Sequence, residues 1–196
     1  MPHATKLLFM AGSAREASLN KKLARLGAEI AAANGIGATF ADLGDYPLPL
    51  YDGDLEGRDG VPDNARKLRA LMLVHTGIFI ACPEYNAGIT PLLKNTIDWI
   101  SRIRPSEDDP VNVFKTRVFA LGAASPGGFG GVRGIGMTRQ TLEIGLGALV
   151  LPDQVLVPRA AAAFDERGHL VDKAQQDLLK SVVEKLARAA RVLHGD

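Results

Sequence analysis

Two alternating patterns restrict this chain more than any other feature. Short runs that are apolar on both faces, at residues 6–11, 38–43, 77–82, 116–121 and 149–157, are separated by segments with helical periodicity. A strand apolar on both faces belongs in a parallel sheet covered on both sides. Between the runs, Leu19, Leu23, Leu26 and Ile30 share one helix face. Pro62 suits the first turn of a second helix, with Ala65, Leu68 and Met72 inward. Thr90 and Pro91 read as N-cap and first residue of a third helix carrying Leu93, Ile97 and Ile100. A fourth helix covers residues 132–146, and a fifth starts near Asp172 and ends before Gly195, with Leu178, Val182, Leu186 and Ala189 inward.

Five successive βα units predict one α/β domain over residues 1–196, a three-layer sandwich around a five-stranded parallel sheet. Right-handed crossovers suit the strand order 2-1-3-4-5. In such sheets ligands bind outside the carboxyl ends of the strands where the order reverses, between strands 1 and 3. The loops after Ala11, after Cys82 and after Leu121 therefore hold the candidate site.

Composition narrows the possible functions. With 23 Lys and Arg against 22 Asp and Glu, the chain lacks the basic surplus of a nucleic-acid binder. Cys82 is the single cysteine, so neither a disulfide framework nor a cysteine metal cluster forms within one chain, which fits a reducing cytoplasm. His3, His75, His169 and His194 show no metal-ligand spacing, and no metal site is expected. The apolar run from Leu7 to Ala11 is too short for a signal peptide, and no stretch approaches the ~20 apolar residues of a membrane span. Cys82 reads as a core thiol, Trp99 as packing or an oligomer contact, and Arg102, Arg104 and Arg133 as solvated surface. His75 reads as a charge well placed at a helix C-terminus. Of the 21 glycines, nine fall within positions 122–147, where the expectation is that bare backbone approaches a ligand.

The first loop reads Gly-Ser-Ala-Arg-Glu-Ala-Ser-Leu-Asn from Gly12 to Asn20. It leads into a helix N-terminus, where unpaired N–H groups and the dipole favour an anion. Ser13 and Ser18 add hydroxyls, and Arg15 can fork onto a phosphate. An N-capped helix with a surface arginine would read the same way. No Gly-Lys pair exists for a P-loop, and the Gly-x-Gly-x-x-Gly dinucleotide fingerprint is missing, so a single terminal phosphate suits the loop better than a pyrophosphate. The second loop, Pro83 to Gly88, offers the flat Tyr85, an Asn86 tolerant of unusual backbone angles, and Gly88 for close approach; a tight βα turn is the alternative. The third, Ala123 to Gly134, is a glycine-rich run around Phe129 that suits a ligand, a lid or a plain crossing loop. Ser125 follows a strand as a hydrolase nucleophile would, with Asp165 and His169 downstream. However, Pro126 has no N–H to build an oxyanion hole.

These loops, together with Leu-Pro-Leu-Tyr-Asp-Gly-Asp from Leu48 to Asp54 and Leu-Lys-Asn-Thr-Ile-Asp-Trp-Ile-Ser-Arg from Leu93 to Arg102, resemble the NADPH-dependent FMN reductase family over nearly the whole chain. That flavodoxin-like group includes quinone, chromate and azo-dye reductases. The resemblance implies that Ser13, Arg15, Ser18, Leu19 and Asn20 hold the phosphate of FMN. It implies that Pro83, Glu84, Tyr85, Asn86 and Gly88 line its isoalloxazine ring, and that Ser125, Gly127 and Gly128 border the pyrimidine side. Glu84 could instead face a neighbouring subunit. The resemblance also implies NADPH or NADH as co-substrate and a homodimer or homotetramer. Hydride would be carried at flavin N5 in two half-reactions at one site, with no catalytic side chain. A flavodoxin-type electron carrier is the rival; such carriers dock through an acidic face, which a net charge of +1 disfavours.

Overall fold

The structure, a computed structural model, describes residues 5–106 and 109–195. His3 lies outside the described residues. Strands β1 (Lys6–Ala11), β2 (Gly37–Ala41), β3 (Gly77–Ala81), β6 (Val118–Ala124) and β7 (Leu149–Val157) form one sheet in the order β2-β1-β3-β6-β7, all neighbours parallel. This is the flavodoxin-like order expected from the sequence. Between β3 and β6 lies a two-residue-per-strand hairpin, β4 (Glu84–Tyr85) and β5 (Gly88–Ile89).

Helices α1 (Leu19–Ala33) and α7 (Lys173–His194) cover one face of the sheet; α3 (Asp63–Leu73) and α4 (Pro91–Ser101) cover the other. Alternate residues of β1 divide between the two cores. Leu7 and Phe9 pack with Leu23, Phe79 and Leu186, while Leu8 and Met10 pack with Leu68, Ile80 and Leu93. Burying one such side chain contributes roughly 1.5–3 kcal/mol, so the alternation fixes which residues of each strand face which layer. The pairing of β6 with β7 shifts register between Phe119 and Leu121, opposite Pro152, which has no N–H to give a ladder and sits on an edge strand that tolerates it.

Several expectations shift by a few residues. The second strand ends at Ala41, and Leu43 lies in a 3-10 turn, Leu43–Asp45, that Asp42 caps through the N–H of Gly44. The fourth long strand starts at Val118, because Thr116 ends the short helix α5 (Val113–Thr116) capped by Asn112. Pro62 is the N-cap of α3. Helix α6 (Val132–Gln140) runs on into a wider π-type turn, Thr141–Gly145. On α7 the inward face differs from the periodic expectation at two positions. Leu178 is 41% exposed, whereas Leu179 is fully buried beside Val182, Val183 and Leu186, and Ala190 rather than Ala189 lies at the core.

The segment 48–52 is anchored to α4 by hydrogen bonds and a ring contact, while Leu50 stays exposed. Asn95 accepts from the N–H of Tyr51 and donates to the carbonyl of Pro49, the fully buried Trp99 also donates to Pro49 at 2.7 Å, and Tyr51 meets Trp99 edge-on. Arg102, expected as solvated surface, pairs at 2.8 Å with Glu56 of α2 (Gly53–Asp59). His75 is not a favourable surface charge: it is buried, with Nδ1 against the Leu71 carbonyl at 2.6 Å and Nε2 against the Thr39 hydroxyl at 2.8 Å. Cys82 is fully buried, and burial pushes its thiol up to about 12. Among the described residues no helix is long and apolar enough to cross a membrane.

Candidate functional site

The carboxyl ends of β1, β3 and β6 open onto a groove of about 440 Å³, its open mouth included. Ser13, Arg15, Ser18, Leu19 and Asn20 line it from the first loop, Pro83, Glu84 and Tyr85 from the second, and Ser125 from the third. The strand-order reversal thus brings nine of the sequence-selected residues together. Ala124 and Pro126 also line the groove.

The first loop is built to leave donors free. Ser18 caps α1, but its Oγ accepts from the N–H of Lys21 at 3.4 Å, a long bond that leaves the hydroxyl proton unused. The first turn of α1 contains no acidic residue, so its unpaired N–H groups meet no internal anion. Ser13 is buried, and its Oγ accepts from the N–H of Arg15 at 3.3 Å, again leaving the hydroxyl proton to donate. Arg15 is exposed, and among the described residues its side chain makes no ion pair. Gly12 is required sterically, since a Cβ there would lie 2.8 Å from Cβ of Leu93.

Three further contacts hold this loop in place. Asn20 binds Ala124 through both ends of its amide, so that group orients β6 against α1 and is not free for a ligand. Thr90, buried at the N-cap of α4, donates to the carbonyl of Gly12 at 2.7 Å. Lys21 donates to the carbonyl of Ala14 and pairs with Asp42.

Glu84 is the single acidic side chain lining the groove, and its charge is turned away. Its carboxylate accepts from the backbone N–H groups of Arg133 and Gly134 and pairs with the Arg133 guanidinium. It therefore caps the start of α6 and is a contact within one chain. Burial raises its carboxyl, but the Arg133 and Gly134 hydrogen bonds outweigh that and hold it below the ordinary range. Arg133, expected as solvated surface, lies in this pair and over the ring of Phe129 at 5.1 Å.

Four sequence-selected residues fall outside the groove lining. Asn86 is at the tip of the β4–β5 hairpin with φ 51, beside Ala87 with φ 64. Gly88 faces Met137, where a Cβ would lie 3.4 Å from Sδ. Gly127 and Gly128 are on the exposed part of the third loop. The local glycine excess has a mixed cause. A Cβ at Gly122 would lie 2.7 Å from the Phe79 ring, one at Gly131 would lie 2.6 Å from Ala123, and one at Gly134 would lie 3.1 Å from Glu84. These three are needed for packing; a Cβ at Gly127 would only touch Oγ of Ser125 at 3.6 Å, and one at Gly128 would meet nothing.

A hydrolase triad is not assembled. Asp165 binds the backbone N–H groups of Arg167 and His169 in its own turn, and His169 lies 3.9 Å from Glu29, so neither lines the groove with Ser125.

The donor set fits the phosphate end of a flavin mononucleotide. Two hydroxyls, a free guanidinium and an acid-free helix N-terminus offer only positive or donor groups, and Tyr85 and the backbone of the second and third loops supply a flatter rim.

Comparison with known proteins shows the family. A profile of the NADPH-dependent FMN reductase family matches residues 5–162. An NAD(P)H:quinone oxidoreductase of Solanum tuberosum is 31% identical, covering 97% of this chain and 95% of its own. An NAD(P)H-dependent FMN reductase of Pseudomonas aeruginosa is 30% identical, covering 97% of each chain. Among solved structures, the flavoenzyme FerB of Paracoccus denitrificans, an NAD(P)H:acceptor oxidoreductase, superposes with a TM-score of 0.76 at 24% identity, covering 97% of this chain and 98% of its own. With the profile spanning most of the fold and relatives matched along nearly their full length, this protein belongs to the NADPH-dependent FMN reductase family.

Proposed function

We propose that residues 1–196 form one FMN-binding domain that reduces quinones and other small oxidants, including chromate, azo dyes and free flavin, at the expense of NADPH or NADH. The observation that carries this reading is the acid-free N-terminus of α1, with Ser13, Arg15 and Ser18 gathered on one wall of the groove. FMN held by these residues would supply the redox chemistry, hydride exchange with the nicotinamide and then electron transfer to the acceptor, in two half-reactions of ping-pong type.

The chain's own part is binding and orientation. Ser13 and Ser18 donate hydroxyl protons to the phosphate and Arg15 adds a charged hydrogen bond. Pro83, Tyr85 and Ser125 form the wall for the ring. The pairing of Glu84 with Arg133 keeps a carboxylate from facing an electron-rich flavin. Asn86, Gly88, Gly127 and Gly128, at the groove's margins, contribute to the ring side as the co-substrate side of the site. No side chain in the groove is needed as acid, base or nucleophile. A homodimer or homotetramer and a cytoplasmic location complete the proposal.

The test is a spectrum of the purified protein, identification of the flavin it releases, and titration with NADH and NADPH in the presence of a quinone. A yellow protein that releases FMN and oxidises either nucleotide supports the reading. A protein with no affinity for FMN overturns it, and a yellow protein inert to both nucleotides is the outcome for an electron carrier.

A further inference from the structure

We propose that Lys21 is a positioning residue for phosphate recognition, acting through the Ala14–Arg15 peptide on Ser13; this rests on the reading of the first loop as the phosphate site. Lys21 is the third residue of α1, where a cation opposes the helix dipole, and it is 7% exposed. Neither helix stability nor the apolar core accounts for an ammonium there. Its contacts do. Nζ donates to the carbonyl of Ala14 at 3.1 Å and lies 2.7 Å from Oδ2 of Asp42. Asp42 is itself anchored, its Oδ1 accepting from the N–H of Gly44 at 2.9 Å, with Arg25 3.9 Å from Oδ2. Lys21 therefore ties the crown of the first loop to the carboxyl end of β2.

The held peptide determines where Ser13 points. In a trans peptide the C=O and N–H point in opposite directions, and the described chain has no cis bonds. With the Ala14 carbonyl fixed by Lys21, the N–H of Arg15 is directed the other way, where it donates to Oγ of Ser13 at 3.3 Å. That oxygen, already accepting one hydrogen bond, is left with its own O–H to donate to an anion. Releasing Ala14 frees the peptide to rotate and removes the partner that orients the Ser13 hydroxyl.

The experiment uses the full chain stripped of flavin and titrated with FMN and with riboflavin, which differ only in the phosphate. Wild type is compared with Lys21→Met and with Lys21→Met/Asp42→Asn, and the melting temperature of each flavin-free protein is recorded. Wild type is expected to prefer FMN. Both variants are expected to lose about tenfold of that preference, the scale of one hydrogen bond to a charged group, with riboflavin affinity unchanged. The double variant removes the orphaned Asp42 charge, so a loss that persists in it reports the grip on Ala14, and it carries the comparison if the single variant does not fold. A drop in melting temperature with both flavins weakened alike, or a preference restored in the double variant, overturns the role of Lys21. A wild type that binds FMN and riboflavin equally overturns the phosphate reading itself.

Discussion

Asn20 and Ala124 exchange two hydrogen bonds across 104 residues of chain: Asn20 Nδ2 donates to the Ala124 carbonyl at 2.8 Å, and the Ala124 N–H donates to Oδ1 at 2.9 Å. The amide acts as an extra strand residue alongside the end of β6, and it fixes the third loop relative to the first. Replacing Asn20 with Ala leaves two buried main-chain groups unpaired. At ~1–3 kcal/mol per group, Asn20→Ala is expected to cost about 2–6 kcal/mol in chemical denaturation of the flavin-free protein. A variant as stable as wild type would place the amide's role in ligand contact instead.

Arg15 is the complementary case, a side chain with no structural duty. Because it is exposed and without an ion pair among the described residues, Arg15→Ala should leave the denaturation midpoint unchanged. It should weaken FMN binding by about 1.5–3 kcal/mol, the range for a charged hydrogen bond, and so shed cofactor on gel filtration. An unaltered FMN dissociation constant would remove Arg15 from the site.

The contrast between these two residues shows what was legible in the sequence. The strand order and the three site loops could be read because both-face apolar runs and helix periodicity are local patterns. Asn20 lines the groove as expected, but the commitment of its side-chain amide to Ala124 has no sequence signal, because that partner is distant in sequence and contributes only backbone. The orientation of the Glu84 carboxylate is hidden in the sequence for the same reason, since its partners are the backbone N–H groups of Arg133 and Gly134. On α7 the adjacent Leu178 and Leu179 satisfy the period equally well, and only contact with the sheet decides that Leu179 goes inward. The β4–β5 hairpin is too short, at two residues per strand, to leave a periodic signal.

His75 gives the fold a pH dependence. Its Nδ1 faces a carbonyl and so carries the proton, which leaves Nε2 to accept from Thr39; the ring fits this site as the neutral form. Burial lowers its pKa, and nearby Lys6 and Arg117 lower it further against the opposing pull of the Leu71 carbonyl. The unfolded chain therefore takes up this proton first. The stability His75 contributes is complete above its ordinary value of 6.5 and is lost as pH falls from there through the depressed folded value. The urea midpoint of wild type should fall between about pH 7.5 and 5.5, while that of His75→Gln changes less over the same interval. Equal slopes for the two proteins would show that the folded His75 titrates normally.

Asn86 and Ala87 form the two-residue turn of the β4–β5 hairpin, with φ 51 and φ 64, the left-handed pair that a tight hairpin turn requires. Asn tolerates that region, but Ala pays about 1–2 kcal/mol in contact between Cβ and the following carbonyl. Glycine at position 87 removes that contact, while the added freedom of its unfolded chain takes back roughly 0.4–1 kcal/mol. Ala87→Gly is therefore expected to stabilise the protein by about 0.5–1 kcal/mol in denaturant titration. Ala87→Val should do the reverse, because a β-branched side chain is worse still at positive φ. If both variants leave FMN affinity unchanged, the turn only supports Tyr85; if Ala87→Gly is more stable yet binds FMN less tightly, the strained turn holds Tyr85 at the groove.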